Sequence, residues 1–101
     1  MFYIYILYSQ SSNKYYIGQT QDPSKRLKEH NTKENGTYTS KHQPWELMAV
    51  FEIGTSLSEA LATERFIKKQ KSRKIIEWLI DPQNIPEGKL TQLVRVPKLW
   101  D

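Results

Sequence analysis

Aromatic and β-branched residues crowd two short runs near the start of the chain, FYIYILY at 2–8 and KYYIGQT at 14–20, with the polar cluster SQSSN between them. Runs of this composition around a polar turn predict a β-hairpin. A third run, WELMAVFEI at 45–53, is closed by Gly54 and predicts another strand. Helical signals fill the gaps. Asp22 before Pro23 is a start signal, because an Asp cap accepts orphan amide hydrogens and proline needs no donor at the first helical position. A helix is expected over 23–32, with Leu27 as its main apolar residue. Ser56 and Glu59 have the spacing of a capping box before a stripe of Leu57, Ala60, Leu61 and Ile67. Ser72 can cap a last helix whose apolar face is Ile75, Ile76, Leu79 and Ile80, and Asp81-Pro82 ends it. The order β-β-α-β-α-α predicts an α+β fold, a small three-stranded antiparallel sheet flanked by helices.

The 101 residues suit one modest core. The reading is a single domain over 1–81 and a tail, 82–101, packed on or extending it. In the tail, LVRV at 93–96 is either a small extra strand or a packed segment. Residues 32–44 are polar, contain Gly36 and read as a surface loop. With no cysteine, disulfides, thiolate zinc sites and cysteine nucleophiles are excluded. No stretch approaches the roughly twenty apolar residues of a membrane span. A tyrosine-rich strand at the start, without a signal-peptide pattern, makes a soluble cytoplasmic protein the expectation.

Fifteen Lys and Arg against eleven Asp and Glu give a formal net charge of +4. The distribution says more than the total. Six of the ten residues in RFIKKQKSRK, 65–74, are basic, and Lys25, Arg26 and Lys28 form a second group. Such clusters suit phosphate binding, with a solvated helix face as the plain alternative. The candidate nucleic-acid contacts are Lys25, Lys28, Lys41, Arg65, Lys68, Lys69, Lys71, Arg73 and Lys74. Tyr38, Thr39 and His42 on the polar loop are further candidates.

One residue breaks the pattern. Glu64 falls inside the apolar stripe of its helix, where a core residue is expected. An unpaired buried carboxylate is costly, so Glu64 is expected to be protonated, paired with a cation, bound to a metal, or at the stripe's edge. Upstream, Arg26 and His30 stand four residues apart and share a helix face. Tyr5 and Tyr16 lie on neighbouring strands, facing the same way in one register and opposite ways in the next.

Taken together, these residues resemble the GIY-YIG nuclease family, in its small stand-alone bacterial form, over about 2–81. Tyr3-Ile4-Tyr5 stands in the GIY position, Tyr16-Ile17-Gly18 matches YIG, Arg26 and His30 follow within KRLKEHN, and Glu64 lies in SEALATERFIKKQKSRK. Tyr3 replaces the family's first glycine. Asn84 is the one candidate for an asparagine that often follows the Glu helix, and no role is assigned to it.

The resemblance implies metal-dependent hydrolysis of phosphodiester bonds in DNA. In that reading Glu64 holds one divalent ion, Mg²⁺ or Mn²⁺. Arg26 grips the phosphate, since its planar fork donates two hydrogen bonds while offsetting charge. His30 orients Arg26, donates to the phosphate or takes part in proton transfer. One of Tyr5 and Tyr16 activates the water and the other positions it, while Tyr3, Tyr8 and Tyr15 pack. A role in DNA repair or recombination, selecting DNA structure rather than sequence, is expected, and a protein partner is possible. The competing reading is a non-catalytic nucleic-acid-binding module of a larger complex.

Overall fold

The computed structural model describes residues 1–32 and 39–96. Tyr38, one of the loop candidates, lies outside them. Three strands, β1 (Phe2–Ser9), β2 (Lys14–Thr20) and β3 (Trp45–Gly54), and three helices, α1 (Pro23–Thr32), α2 (Leu57–Lys69) and α3 (Arg73–Ile80), appear where the hydrophobic pattern places them. The sheet is antiparallel and has four strands in the order β2-β1-β3-β4, not the three expected. The addition is β4 (Val94–Arg95), a two-residue strand from the LVRV run that pairs with Phe51 and Glu52. Two residues of alternating pattern are too few to announce a strand, and only the return of the tail to β3 creates it.

Each helix starts at its expected cap. The Asp22 carboxylate accepts from the Lys25 amide at 3.0 Å, Ser56 Oγ from the Glu59 amide at 3.2 Å and Ser72 Oγ from the Ile75 amide at 3.4 Å. The strands bury both faces of the sheet, so their cores read as nearly continuous apolar runs. One face carries Ile4, Ile6, Ile17, Phe51 and Ile53, packed under Ala60 and Ile67 of α2 and Leu79 of α3. Leu93 from the tail joins this core. The other face carries Tyr5, Leu7, Trp45 and Val50, with Leu27 of α1 against them.

The buried stripe of α2 is Ala60, Thr63 and Ile67, while Leu57 and Leu61 remain 48% and 39% exposed. This corrects the expected stripe. Small side chains let the helix lie close to the strands, and the contact face rotates away from the leucines.

Arg95 fastens the tail. Its Nη2 donates to the carbonyls of Leu79, Asp81 and Asn84, and its guanidinium stands 4.8 Å from the centre of the Phe51 ring. Asn84 donates its side-chain amide to the Trp78 carbonyl at 2.9 Å, closing the end of α3.

Candidate active site

The hairpin register brings two tyrosines to one place. Tyr5 pairs with Gly18 and Leu7 with Tyr16, so Tyr5 and Tyr16 point to the same face, their ring centres 6.3 Å apart. Helix α1 crosses that face and delivers His30, buried, with its Nε2 sharing a 2.9 Å hydrogen bond with the Tyr5 hydroxyl. The His30 ring is also 4.9 Å from the Tyr16 ring, edge to face. Trp45 at the start of β3 closes the far side, 6.0 Å from Tyr16.

Tyr5 is 1% exposed. Burial is the main cause that pushes its phenol well above the ordinary tyrosine range, helped by Tyr16 and Glu64, while Arg26 pulls it back in part. Tyr5 is therefore a neutral phenol near neutral pH, and which of its hydroxyl and His30 Nε2 donates is set by the imidazole tautomer. Arg26 is half-buried and also holds Glu29 Oε1 at 3.1 Å. Burial opposes its charge, and the Glu29 hydrogen bond and the Tyr5 phenol more than offset that. Arg26 thus pairs with Glu29 while standing beside Tyr5.

Glu64 comes from the other side of the sheet, at the β2 edge. Its side chain is 20% exposed and Oε2 accepts from Lys68 Nζ at 3.0 Å. Of the states open to a carboxylate in that stripe, it is at the edge and paired with a cation. Lys68 also stands 5.5 Å above the Tyr16 ring, which links Glu64 to the tyrosines. Leu61, Arg65, Lys68 and Lys69 surround Glu64 in a shallow hollow of about 370 Å³.

All nine basic candidates are exposed. They are not equivalent. Arg73 donates to the Asn13 carbonyl at 3.0 Å and to Glu77 Oε2 at 3.4 Å, and covers the Tyr15 ring at 4.9 Å. It ties the hairpin turn to α3. Tyr8 and Tyr15 pack ring to ring at 4.9 Å, and Tyr3 packs beside Tyr5. On the polar loop, Lys41 is exposed and His42 Nδ1 lies 2.8 Å from Ser12 Oγ, next to Trp45.

Three residues position the site: Gly18, already part of the YIG match, and Asn31 and Gln43, which no pattern in the sequence singles out. Gly18 leaves room for the Tyr5 ring: a Cβ there would fall 2.6 Å from Tyr5 Cζ. Asn31 donates to the Trp45 carbonyl at 3.0 Å and accepts from the Trp45 amide at 2.6 Å, as a neighbouring strand would. Gln43 donates to the His30 carbonyl at 2.7 Å. Asn31 and Gln43 fix the end of α1 that carries His30. The one sequence signal is that Asn31 directly follows His30.

A divalent ion here would find hard oxygen donors in a single carboxylate. Among the described residues no group of three or more His, Cys, Asp or Glu could hold a metal. That donor set fits Mg²⁺ bound together with phosphate oxygens and water, and does not fit a preformed protein cage. Among the described residues no helix is long and apolar enough to cross a membrane.

Comparison with known proteins points the same way. The structure-specific endonuclease subunit SLX1 of Cryptococcus neoformans is 39% identical over 77 residues, which are 70% of this chain and 16% of that protein. The UPF0213 protein YazA of Bacillus subtilis is 32% identical over 76 residues, 75% of this chain and 76% of that protein. A UPF0213 protein of Streptococcus pneumoniae is 32% identical over 83 residues, 81% of each. The GIY-YIG catalytic domain matches residues 1–76, and the chain belongs to the GIY-YIG family.

Proposed function

We propose that the chain is a divalent-metal-dependent DNA endonuclease that hydrolyses phosphodiester bonds and selects DNA by structure rather than sequence. The observation that carries this reading is the convergence of Tyr5, Tyr16, Arg26 and His30 on one face, with Glu64 linked to them through Lys68. Family membership and the likeness to a structure-specific endonuclease subunit support it. A role in repair or recombination, a partner subunit and a cytoplasmic location belong to the same proposal.

Hydrolysis needs a water placed in line, charge offset on the crowded phosphate and protonation of the leaving oxygen. Arg26 supplies the offset, with guanidinium donors beyond the Nη1 that holds Glu29. Tyr16, half-buried beneath the Lys68 ammonium, is the phenol that reaches the attacking water. Tyr5, buried and protonated, holds His30 by its Nε2 and fixes the imidazole against Tyr16. Glu64 would hold the divalent ion, Mg²⁺ or Mn²⁺, which when bound polarises the phosphate and eases loss of a proton from water. Its carboxylate must first release Lys68, whose ammonium then faces the substrate.

The test is a panel of branched, flapped, nicked, linear and single-stranded DNA incubated with Mg²⁺ or Mn²⁺, and with a chelator. Cutting that needs the metal and disappears in folded Arg26→Ala and Glu64→Ala proteins is expected. Salt-sensitive binding by wild type with no cutting of any substrate would make the chain a non-catalytic nucleic-acid-binding module instead.

A further inference from the structure

From Tyr16 a groove of about 430 Å³ runs along the outer edge of β2 toward the junction of α2 and α3. Its floor includes Ile17 and Ile67, and its rim carries Lys14, Lys68, Lys71 and Arg73. No acidic side chain lines it among the described residues. The four cations differ. Arg73 is engaged by Asn13 and Glu77, and Lys68 by Glu64. Lys14 and Lys71 have no ion-pair partner among the described residues.

Lys71 carries a second signal. It follows the last turn of α2 with φ at 49°, in the left-handed region that glycine fills without strain and that costs an ordinary L residue energy. A lysine at this helix-stop position is strained where glycine would be relaxed. Backbone strain that persists is informative when the side chain it presents sits in a candidate site.

We propose that the groove holds the phosphodiester backbone of the nucleic-acid strand leaving the site past Tyr16, with Lys14 and Lys71 each contacting a phosphate. This rests on the endonuclease reading and adds the path of the substrate to it. Tyr16 lines both the groove and the tyrosine cluster, and Lys68 lines both the groove and the hollow at Glu64. The path therefore starts at the reacting atoms. The excess of positive charge selects a polyanion, and the apolar floor gives sugars a surface to lie on. Lys14 was absent from the basic clusters because it stands alone in sequence; the fold brings it to Lys71.

The experiment compares wild type with Lys71→Gly, Lys14→Ala and, as a control for charge alone, Lys89→Ala. Lys89 lies over the Phe66 ring, outside the groove. Thermal unfolding is measured beside fluorescence anisotropy of a labelled forked DNA, at several salt concentrations with chelator present. Lys71→Gly should melt at or above the wild-type temperature yet bind DNA about three- to tenfold more weakly, with the salt slope reduced by about 1. Lys14→Ala should weaken binding similarly, and Lys89→Ala by less than about twofold. Unchanged affinity in both groove variants, or a loss no larger than that of Lys89→Ala, overturns the groove and leaves the endonuclease reading standing. Wild type that binds no DNA at low salt overturns both. Wild type that binds poly-glutamate but not DNA assigns the groove to an acidic protein partner, against the proposal.

Discussion

The Tyr5 ring lies across Gly18, its partner on the neighbouring strand, so closely that a Cβ at position 18 would sit 2.6 Å from Tyr5 Cζ. The glycine of the YIG motif is thus required by space. Gly18→Ala must push the ring out of a packed core and off His30, and overpacking of this kind costs about 1–3 kcal/mol. At this chain length, each kcal/mol corresponds to roughly 4–8 °C in melting temperature. The expected result is a lower melting temperature together with loss of DNA cutting. An alanine variant with wild-type melting and wild-type activity would show that the ring has somewhere else to go.

Burial, followed by the neighbouring Tyr16, raises the Tyr5 phenol above its ordinary range. In the unfolded chain it returns to about 10, so above that pH the unfolded state releases a proton that the folded state keeps. Stability from this group is intact below pH 10 and falls as the pH rises beyond it, by up to about 1.4 kcal/mol per pH unit. Denaturant midpoints at pH 9 and pH 11 should therefore converge in Tyr5→Phe relative to wild type. Tyr15, also shifted upward chiefly by burial, leaves a residual slope in both proteins. Equal slopes would remove Tyr5 as a cause.

What the sequence made legible was local. Asp22, Ser56 and Ser72 start their helices because a cap needs only an oxygen and an amide a few residues away. The register was not legible: β1 meets β3 with irregularities at Phe2/Tyr3 and Ile6/Leu7, and no alternation of side chains announces them. Nor was the pairing of β1 with β2 legible, and that pairing decides that Tyr5 and Tyr16 share a face and that Gly18 lies under a ring. Leu57 and Leu61 misled for a related reason, since periodicity counts every leucine as core, whereas α2 approaches the sheet through Ala60 and Thr63. Glu64 stood out in the sequence as a charge out of place, but its link to Tyr16 through Lys68 depends on how α2 meets the edge of β2.

Glu64 separates stability from activity. Its pair with Lys68 is an i,i+4 contact at the surface, of a kind worth about 0.3–0.5 kcal/mol. Glu64→Gln keeps the shape and can still accept from Lys68, so its melting temperature should stay close to that of wild type. If the carboxylate holds the metal, DNA cutting should fall by about 100-fold or more, with partial recovery at high Mn²⁺. Retained cutting in a folded Glu64→Gln protein would place the metal elsewhere.

Asn31 positions the site without touching the residues proposed to react. Its side-chain amide exchanges two hydrogen bonds with the Trp45 backbone, and Gln43 holds the carbonyl of neighbouring His30. Together they hold the last turn of α1 against the start of β3. Removing the amide takes a partner from each of two polar backbone groups of a buried residue, at about 1–3 kcal/mol for each group left unmet. Asn31→Ala should therefore lower the melting temperature markedly, and Asn31→Asp, which still accepts from the Trp45 amide but cannot donate to its carbonyl, should fall between. The functional readout separates positioning from general weakening. If the turn carrying His30 is free to shift, kcat for DNA cutting should drop in Asn31→Asp at temperatures where the protein is fully folded, with KM little changed, because the basic groove along β2 is untouched. A variant that loses stability alone, with kcat intact well below its melting temperature, would make this clamp a feature of the fold and not of the site.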